Sequence, residues 1–189
     1  MSGIGLFGGA FDPPHNGHLE LARRAVEHFA LDRLIVIVTA RPGHREVYLD
    51  PETRLQLAGV AFGHEVVLDH HERTIDMLRS QRWDDPIVLV GADQFSAFLE
   101  WKEPEAVLEL ARLGVATRPG FPRDRLEPVL RALSRPDRVE FFEIDSVDVS
   151  STEVRARVAR GEPIDDIVPP QVASFIREQR LYRRWPELH

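Results

Sequence analysis

Five consecutive apolar residues, Leu34-Ile35-Val36-Ile37-Val38, fit a strand covered on both faces. Short apolar runs also occur at 4–7, 65–68, 87–90, 114–116 and 139–142, and they alternate with amphipathic segments at 17–29, 51–61, 74–81, 93–99, 104–111 and 123–133. This alternation predicts an α/β, Rossmann-like fold, with a doubly wound parallel sheet and helices on both faces. After position 142 the pattern is helical only, at 150–160 and 170–179, so these segments are expected to form a C-terminal helical cap over the ligand edge of the sheet. With 189 residues, 43% of them hydrophobic, the chain is expected to be one domain, an α/β core over 1–145 and a helical subregion over 146–189.

In such sheets ligands bind at the carboxyl ends of the strands, where Gly8, Thr39 and Gly91 all fall. The first run leads into Gly8-Gly9-Ala10-Phe11-Asp12-Pro13-Pro14-His15-Asn16-Gly17-His18 and then a helix. Glycines at 8 and 9 are expected to permit a tight turn and close backbone approach to a ligand, and the helix start directs unpaired N–H groups at an anion. His15 and His18 straddle that start, where ring nitrogens can donate to phosphate oxygens. A zinc half-site is the competing reading of the histidine pair, disfavoured by the absence of cysteine and of a second ligand cluster. Gly3-Ile4-Gly5-Leu6-Phe7-Gly8 matches the dinucleotide fingerprint letter for letter, but it occupies the strand itself rather than following one.

A second phosphate signal is Ser150-Ser151-Thr152-Glu153-Val154-Arg155. Ser150 with Glu153 is a capping box, which starts many helices with no ligand present. Arg155 and Arg157 early in that helix oppose the macrodipole, a mismatch that an anion resolves. Hydroxyls of Ser151 or Thr152 and the Arg155 guanidinium would then hold a triphosphate, while Arg157 reads equally as a solvated face. Asp93, after Val90-Gly91-Ala92, fits either a ribose diol or a helix cap. Trp101 fits either the core or a stacking platform for a flat heterocycle.

Net charge bounds the partners. At −7, with a single lysine and a pI near 5.6, the chain has no global basic field for nucleic acid or an anionic membrane. With no basic and apolar leader and no run long enough to span a bilayer, a cytoplasmic location is expected. The segment 39–50, polar with proline and glycine, has the length of a mobile active-site loop.

Together, GGAFDPPHNGH, the VGAD strand end followed by Trp101, SSTEVR and the Leu181-Tyr182 ending resemble the nicotinate mononucleotide adenylyltransferase family of the HxGH nucleotidyltransferases, over nearly the whole chain. The resemblance implies transfer of AMP from ATP to nicotinate mononucleotide, with Mg²⁺ accompanying ATP and no resident metal. It implies that His15, His18 and Arg155 act on the phosphates and that Gly8, Gly9, Phe11, Gly91, Asp93, Ser151 and Thr152 bind ATP. Ala10, Thr39, His44, Arg45, Thr74 and Trp101 would bind the nicotinate nucleotide. The same reaction on nicotinamide mononucleotide or phosphopantetheine, or a non-enzymatic nucleotide-binding regulator, are the alternatives. Two departures lie near the pyridine: the loop reads Pro42-Gly43-His44-Arg45, and an arginine, Arg73, stands before Thr74 where the family has an aromatic residue.

Overall fold

The computed structural model describes residues 3–43, 47–121 and 123–185. His44 and Arg45 therefore lie outside the described residues. Six strands, β1 (Gly3–Gly9), β2 (Leu31–Thr39), β3 (Glu65–Asp69), β4 (Ile87–Gly91), β5 (Arg112–Thr117) and β6 (Val139–Glu143), form one parallel sheet in the order β3-β2-β1-β4-β5-β6. Between them run α1 (Asn16–Phe29), α2 (Pro51–Phe62), α3 (Thr74–Ser80), α4 (Ala92–Ser96), α5 (Pro104–Leu110) and α6 (Glu127–Ala132), and α7 (Ser151–Arg160) and α8 (Pro170–Glu178) follow the sheet. Strand order reverses direction between β1 and β4, so the crevice beyond their carboxyl ends is the switch point at which ligands bind in this architecture.

The unbroken apolar strands serve two cores at once. Leu6, Ile35, Ile37, Val88, Val90, Leu113 and Val115 face one cluster with α3 to α6. Phe7, Leu34, Val36, Val38, Ile87 and Leu89 face the other, with α1 and α2. Period-two alternation thus sends an apolar side chain to each side, as a sheet covered on both faces requires. Gly5 and Gly114 are tolerated inside strands because neighbours fill their space: a Cβ on Gly5 would lie 2.5 Å from a Leu31 methyl, and one on Gly114 2.8 Å from the Phe29 ring.

Two expected helices are shorter than their patterns. The 93–99 segment becomes α4 followed by a 3₁₀ turn over Phe98–Glu100. That tighter winding brings Phe98 nearly parallel to Phe95, with ring centroids 6.0 Å apart, and buries both. The 123–133 segment splits into a 3₁₀ turn, Arg123–Arg125, and α6, because the ring of Pro128 is accommodated only in a helix's first turn.

The helical tail also departs from expectation. The first turn of α7 reaches the ligand edge, but α8 packs elsewhere: Val172, Ala173 and Ile176 join Leu57 of α2 and Val154 of α7 in a third cluster that contains no strand residue. Among the described residues, no helix is long and apolar enough to cross a membrane.

Candidate active site

An open cavity of about 1250 Å³ lies beyond β1 and β4. His15, His18, Gly91, Asp93, Thr152 and Arg155 all line it, so two segments some 140 positions apart in the chain meet there. The join is direct. Arg155 Nη1 donates to the Asp12 carbonyl at 2.6 Å, Ser151 Oγ donates to the Pro13 carbonyl at 2.8 Å, and the Asn16 amide donates to the Ile167 carbonyl at 3.0 Å.

The turn after β1 is not made by its glycines. Gly8 and Gly9 remain in the strand, and the left-handed residue is Phe11, with φ 50°. Phe11 folds its ring into the core against Phe7 and Phe62, and a Cβ on Gly9 would lie 2.8 Å from that ring. Gly9 is therefore needed for packing. Gly8 supplies the open approach: an added Cβ would meet nothing within 4 Å, and the residue borders both the main cavity and a smaller one.

His15 caps α1, and its ring lies against that of His18, with centroids 3.7 Å apart and planes 31° apart. Gly17 makes the room, since a Cβ there would sit 3.2 Å from the His15 ring. The His15 backbone N–H donates to His18 Nδ1 at 3.2 Å, which demands a lone pair on that nitrogen. In the neutral ring the proton is then on Nε2, which makes Nε2 the donor. Among the described residues, no group of three or more His, Cys, Asp or Glu side chains is placed to hold a metal ion.

Burial keeps the His15 ring neutral in the folded chain. That ring is 8% exposed, Nδ1 is buried with no partner, and burial followed by the nearby Arg118 charge lowers its pKa from 6.5 to about 4. Between those values the unfolded chain binds the proton and the folded chain does not, so stability falls as pH drops through that window, by on the order of 3 kcal/mol in full. We expect the urea midpoint to fall further between pH 7 and pH 4.5 for the wild type than for His15→Gln, followed by circular dichroism. Equal losses would refute a neutral buried ring.

At α7, the serine half of the expected box forms, with Ser150 Oγ accepting from the Glu153 amide at 3.1 Å, while the Glu153 carboxylate bonds Arg157. Ser151 spends its proton on Pro13, whereas Thr152 Oγ1 accepts from Arg155 Nη2 at 3.1 Å and keeps its proton for a ligand. Arg157 is neutralised by Glu153 and Asp166, and Arg160 pairs with Glu162. Arg155 has no carboxylate within ion-pair distance among the described residues; it faces two neutral oxygens and the Trp185 ring, 5.0 Å away. An arginine held only by neutral groups and lining a cavity keeps its charge available to an anion. Asp93 sits inside α4, where Gln94 Oε1 rather than Asp93 accepts the Gly91 amide, so its carboxylate faces the cavity and not the helix end.

The smaller cavity, about 80 Å³, is lined by Gly8, Thr39, Arg73 and Thr74, together with Asp69 and His71. His71, to which the sequence assigned nothing, holds Asp69 Oδ1 at 2.6 Å through Nδ1. Trp101 lines neither cavity; its ring packs on Phe98 at 5.2 Å. Ala10 borders the main cavity, and its carbonyl accepts from Arg54.

Two arginines escaped the sequence reading. Arg118, just past β5, lines the main cavity and was findable by the strand-end rule that singled out Gly91. Arg54 is fully buried and donates to the carbonyls of Ala10, Thr39, Ala40 and Leu49. Burial lowers its pKa from the ordinary arginine value. Its signal was a charge in phase with Leu57 and Ala58 on the buried face of α2.

A cytidylyltransferase-like family model matches residues 6–157. A probable nicotinate-nucleotide adenylyltransferase of Thermus thermophilus is 35% identical over 193 residues, covering 95% of this chain and 99% of that protein. One from Chromobacterium violaceum is 33% identical over 208 residues, covering 95% and 98%. Plasmodium falciparum nicotinic acid mononucleotide adenylyltransferase, solved with APC, aligns with a TM-score of 0.72 at 18% identity over 97% of this chain and 98% of its own, a likeness of fold. A crevice at the sheet's switch point, an HxGH helix start facing SSTxxR, and full-length relatives above 30% identity lead to one conclusion: the chain belongs to the cytidylyltransferase-like family and, within it, to the nicotinate-nucleotide adenylyltransferases.

Proposed function

We propose that this chain transfers AMP from ATP to nicotinate mononucleotide, yielding nicotinate adenine dinucleotide and pyrophosphate, in the cytoplasm. The observation that carries the reading is the shared cavity in which the stacked His15–His18 pair meets Arg155, a cation without a carboxylate partner among the described residues. The relatives' names supply the acceptor.

In the reaction, an oxygen of the acceptor's 5′-phosphate forms a bond to the α-phosphorus of ATP. The bond from that phosphorus to the bridging oxygen breaks, and pyrophosphate leaves with the electron pair. The attacking phosphate is already an anion, so the step needs alignment and charge stabilisation rather than a base. His18 Nε2 donates to the α-phosphoryl oxygens, with His15 as a neutral neighbour that fixes its ring. Arg155, Thr152 and the first amides of α7 hold the β- and γ-phosphates, and Arg118 adds positive charge near His15. Gly91 and Asp93 take the adenosine ribose. Gly8 separates the two substrates, and Thr39 and Thr74 take the pyridine end. Trp101, His44 and Arg45 are assigned to that end by their motifs alone.

Nucleotidyltransferases of this kind use a divalent metal with ATP. We infer that here it is Mg²⁺ held by the nucleotide's own oxygens: the Asp12 carboxylate is occupied by protein donors, and Asp93 is the other carboxylate lining the cavity. When bound, Mg²⁺ neutralises phosphate charge.

A coupled pyrophosphate assay with ATP and Mg²⁺ tests the reading across nicotinate mononucleotide, nicotinamide mononucleotide and phosphopantetheine. The highest kcat/KM is expected for nicotinate mononucleotide. Pyrophosphate release with none of the three would sink the assignment.

A further inference from the structure

Asp12 sits 3% exposed at the wall of the main cavity, where a buried carboxylate would repel a polyphosphate unless its oxygens were engaged elsewhere. They are. Oδ1 accepts from the Tyr182 hydroxyl at 2.7 Å, and Oδ2 accepts from the backbone amides of Tyr48 and, at 3.4 Å, Leu49. Only the main-chain carbonyl is left toward α7, and it receives Arg155. Tyr182 is itself 1% exposed and adopts φ 60°, a left-handed conformation that a tyrosine keeps only where its surroundings fix it. Three residues later, Trp185 places its ring against the Arg155 guanidinium and lines the same cavity.

We propose that the chain's tail is a latch of the triphosphate site, in which Tyr182 and Trp185 are positioning residues that turn the Asp12 charge away from the cavity and hold Arg155 toward the phosphates. This rests on the reading of the cavity as an ATP site. Tyr182 lies 170 positions from Asp12 and touches neither acceptor nor nucleoside in that reading, so its influence passes through Asp12 and Arg155. The latch acts on the polyphosphate and not on the pyridine end, because the smaller cavity shares no residue with the tail.

The test uses the 189-residue chain with Tyr182→Phe and, separately, Trp185→Ala. Binding of inorganic tripolyphosphate is measured by calorimetry, and KM for ATP and for the acceptor by pyrophosphate release. Each variant is expected to bind tripolyphosphate about tenfold more weakly and to raise KM for ATP by about the same factor, with KM for the acceptor unchanged within twofold. Trp185→Phe should recover most of the loss in that position. A merely structural role would lower the active fraction and leave both KM values alone. Wild-type tripolyphosphate affinity in the variants, or an equal rise in both KM values, would overturn the latch. If the wild type binds tripolyphosphate, the variants bind it more weakly, and no acceptor yields pyrophosphate, the latch stands and the adenylyltransferase reading falls. Should Tyr182→Phe fail to fold, Trp185→Ala decides alone.

Discussion

His18→Ala is expected to slow pyrophosphate release by about two to three orders of magnitude while the variant still binds an unreactive ATP analogue. The size follows from the loss of one preorganised donor aimed at charge that develops only in the transition state. His18 is well prepared for that task. Its Nδ1 is held by the His15 amide, its ring lies against that of His15, and Phe11 packs edge-on at 5.2 Å, so the donor is oriented before substrate arrives. In the proposed reaction ground-state binding rests largely on Arg155, Thr152 and Arg118, which line the cavity and which the substitution leaves in place. The measurement is single-turnover release with saturating ATP and acceptor, beside equilibrium binding of the analogue. Turnover within a few-fold of wild type would remove His18 from the chemistry. A parallel collapse of analogue binding would make it a ground-state ligand.

Arg54→Ala should cost on the order of 3–5 kcal/mol of stability, read from the urea midpoint at pH 7. The side chain is buried completely, and its guanidinium satisfies carbonyls from the turn after β1, the end of β2 and the loop before α2. Truncation leaves those acceptors without donors and opens a cavity beside Leu57 and Ala58. Lysine does not rescue: a single ammonium lacks the planar fork that reaches Ala10, Thr39 and Ala40 together. A loss below about 1 kcal/mol would mean that water or a local shift satisfies the carbonyls.

The two predictions draw on information of different kinds. His18 was legible because the chemistry of a strand end, an HxGH spacing and a helix start are written within fourteen neighbouring positions. Arg155 was legible for a similar reason, as a cation at the wrong end of a helix. Its separation from Arg157 was not, because only the fold decides that Asp166 joins Glu153 on Arg157 and that, among the described residues, no carboxylate pairs with Arg155. Trp101 shows the same limit. A motif gives its place in the chain, but its ring direction depends on Phe98, which the 3₁₀ turn moved into contact.

Local pattern alone carried the parallel sheet, the helices on both faces, the sheet edge that bears the cavity and the two segments that line it, since each rests on periodicity or on hydrogen-bonding groups within a few residues of one another. Other features needed the third dimension: Phe11 as the turning residue, the neutral His15 beside Arg118, the placement of α8 on α2, and the gathering of Asp12, Arg54 and Tyr182 beneath the site. The physical reason is that desolvation and hydrogen-bond satisfaction are properties of a surrounding assembled from distant segments. A buried charge becomes tolerable only once every partner has arrived.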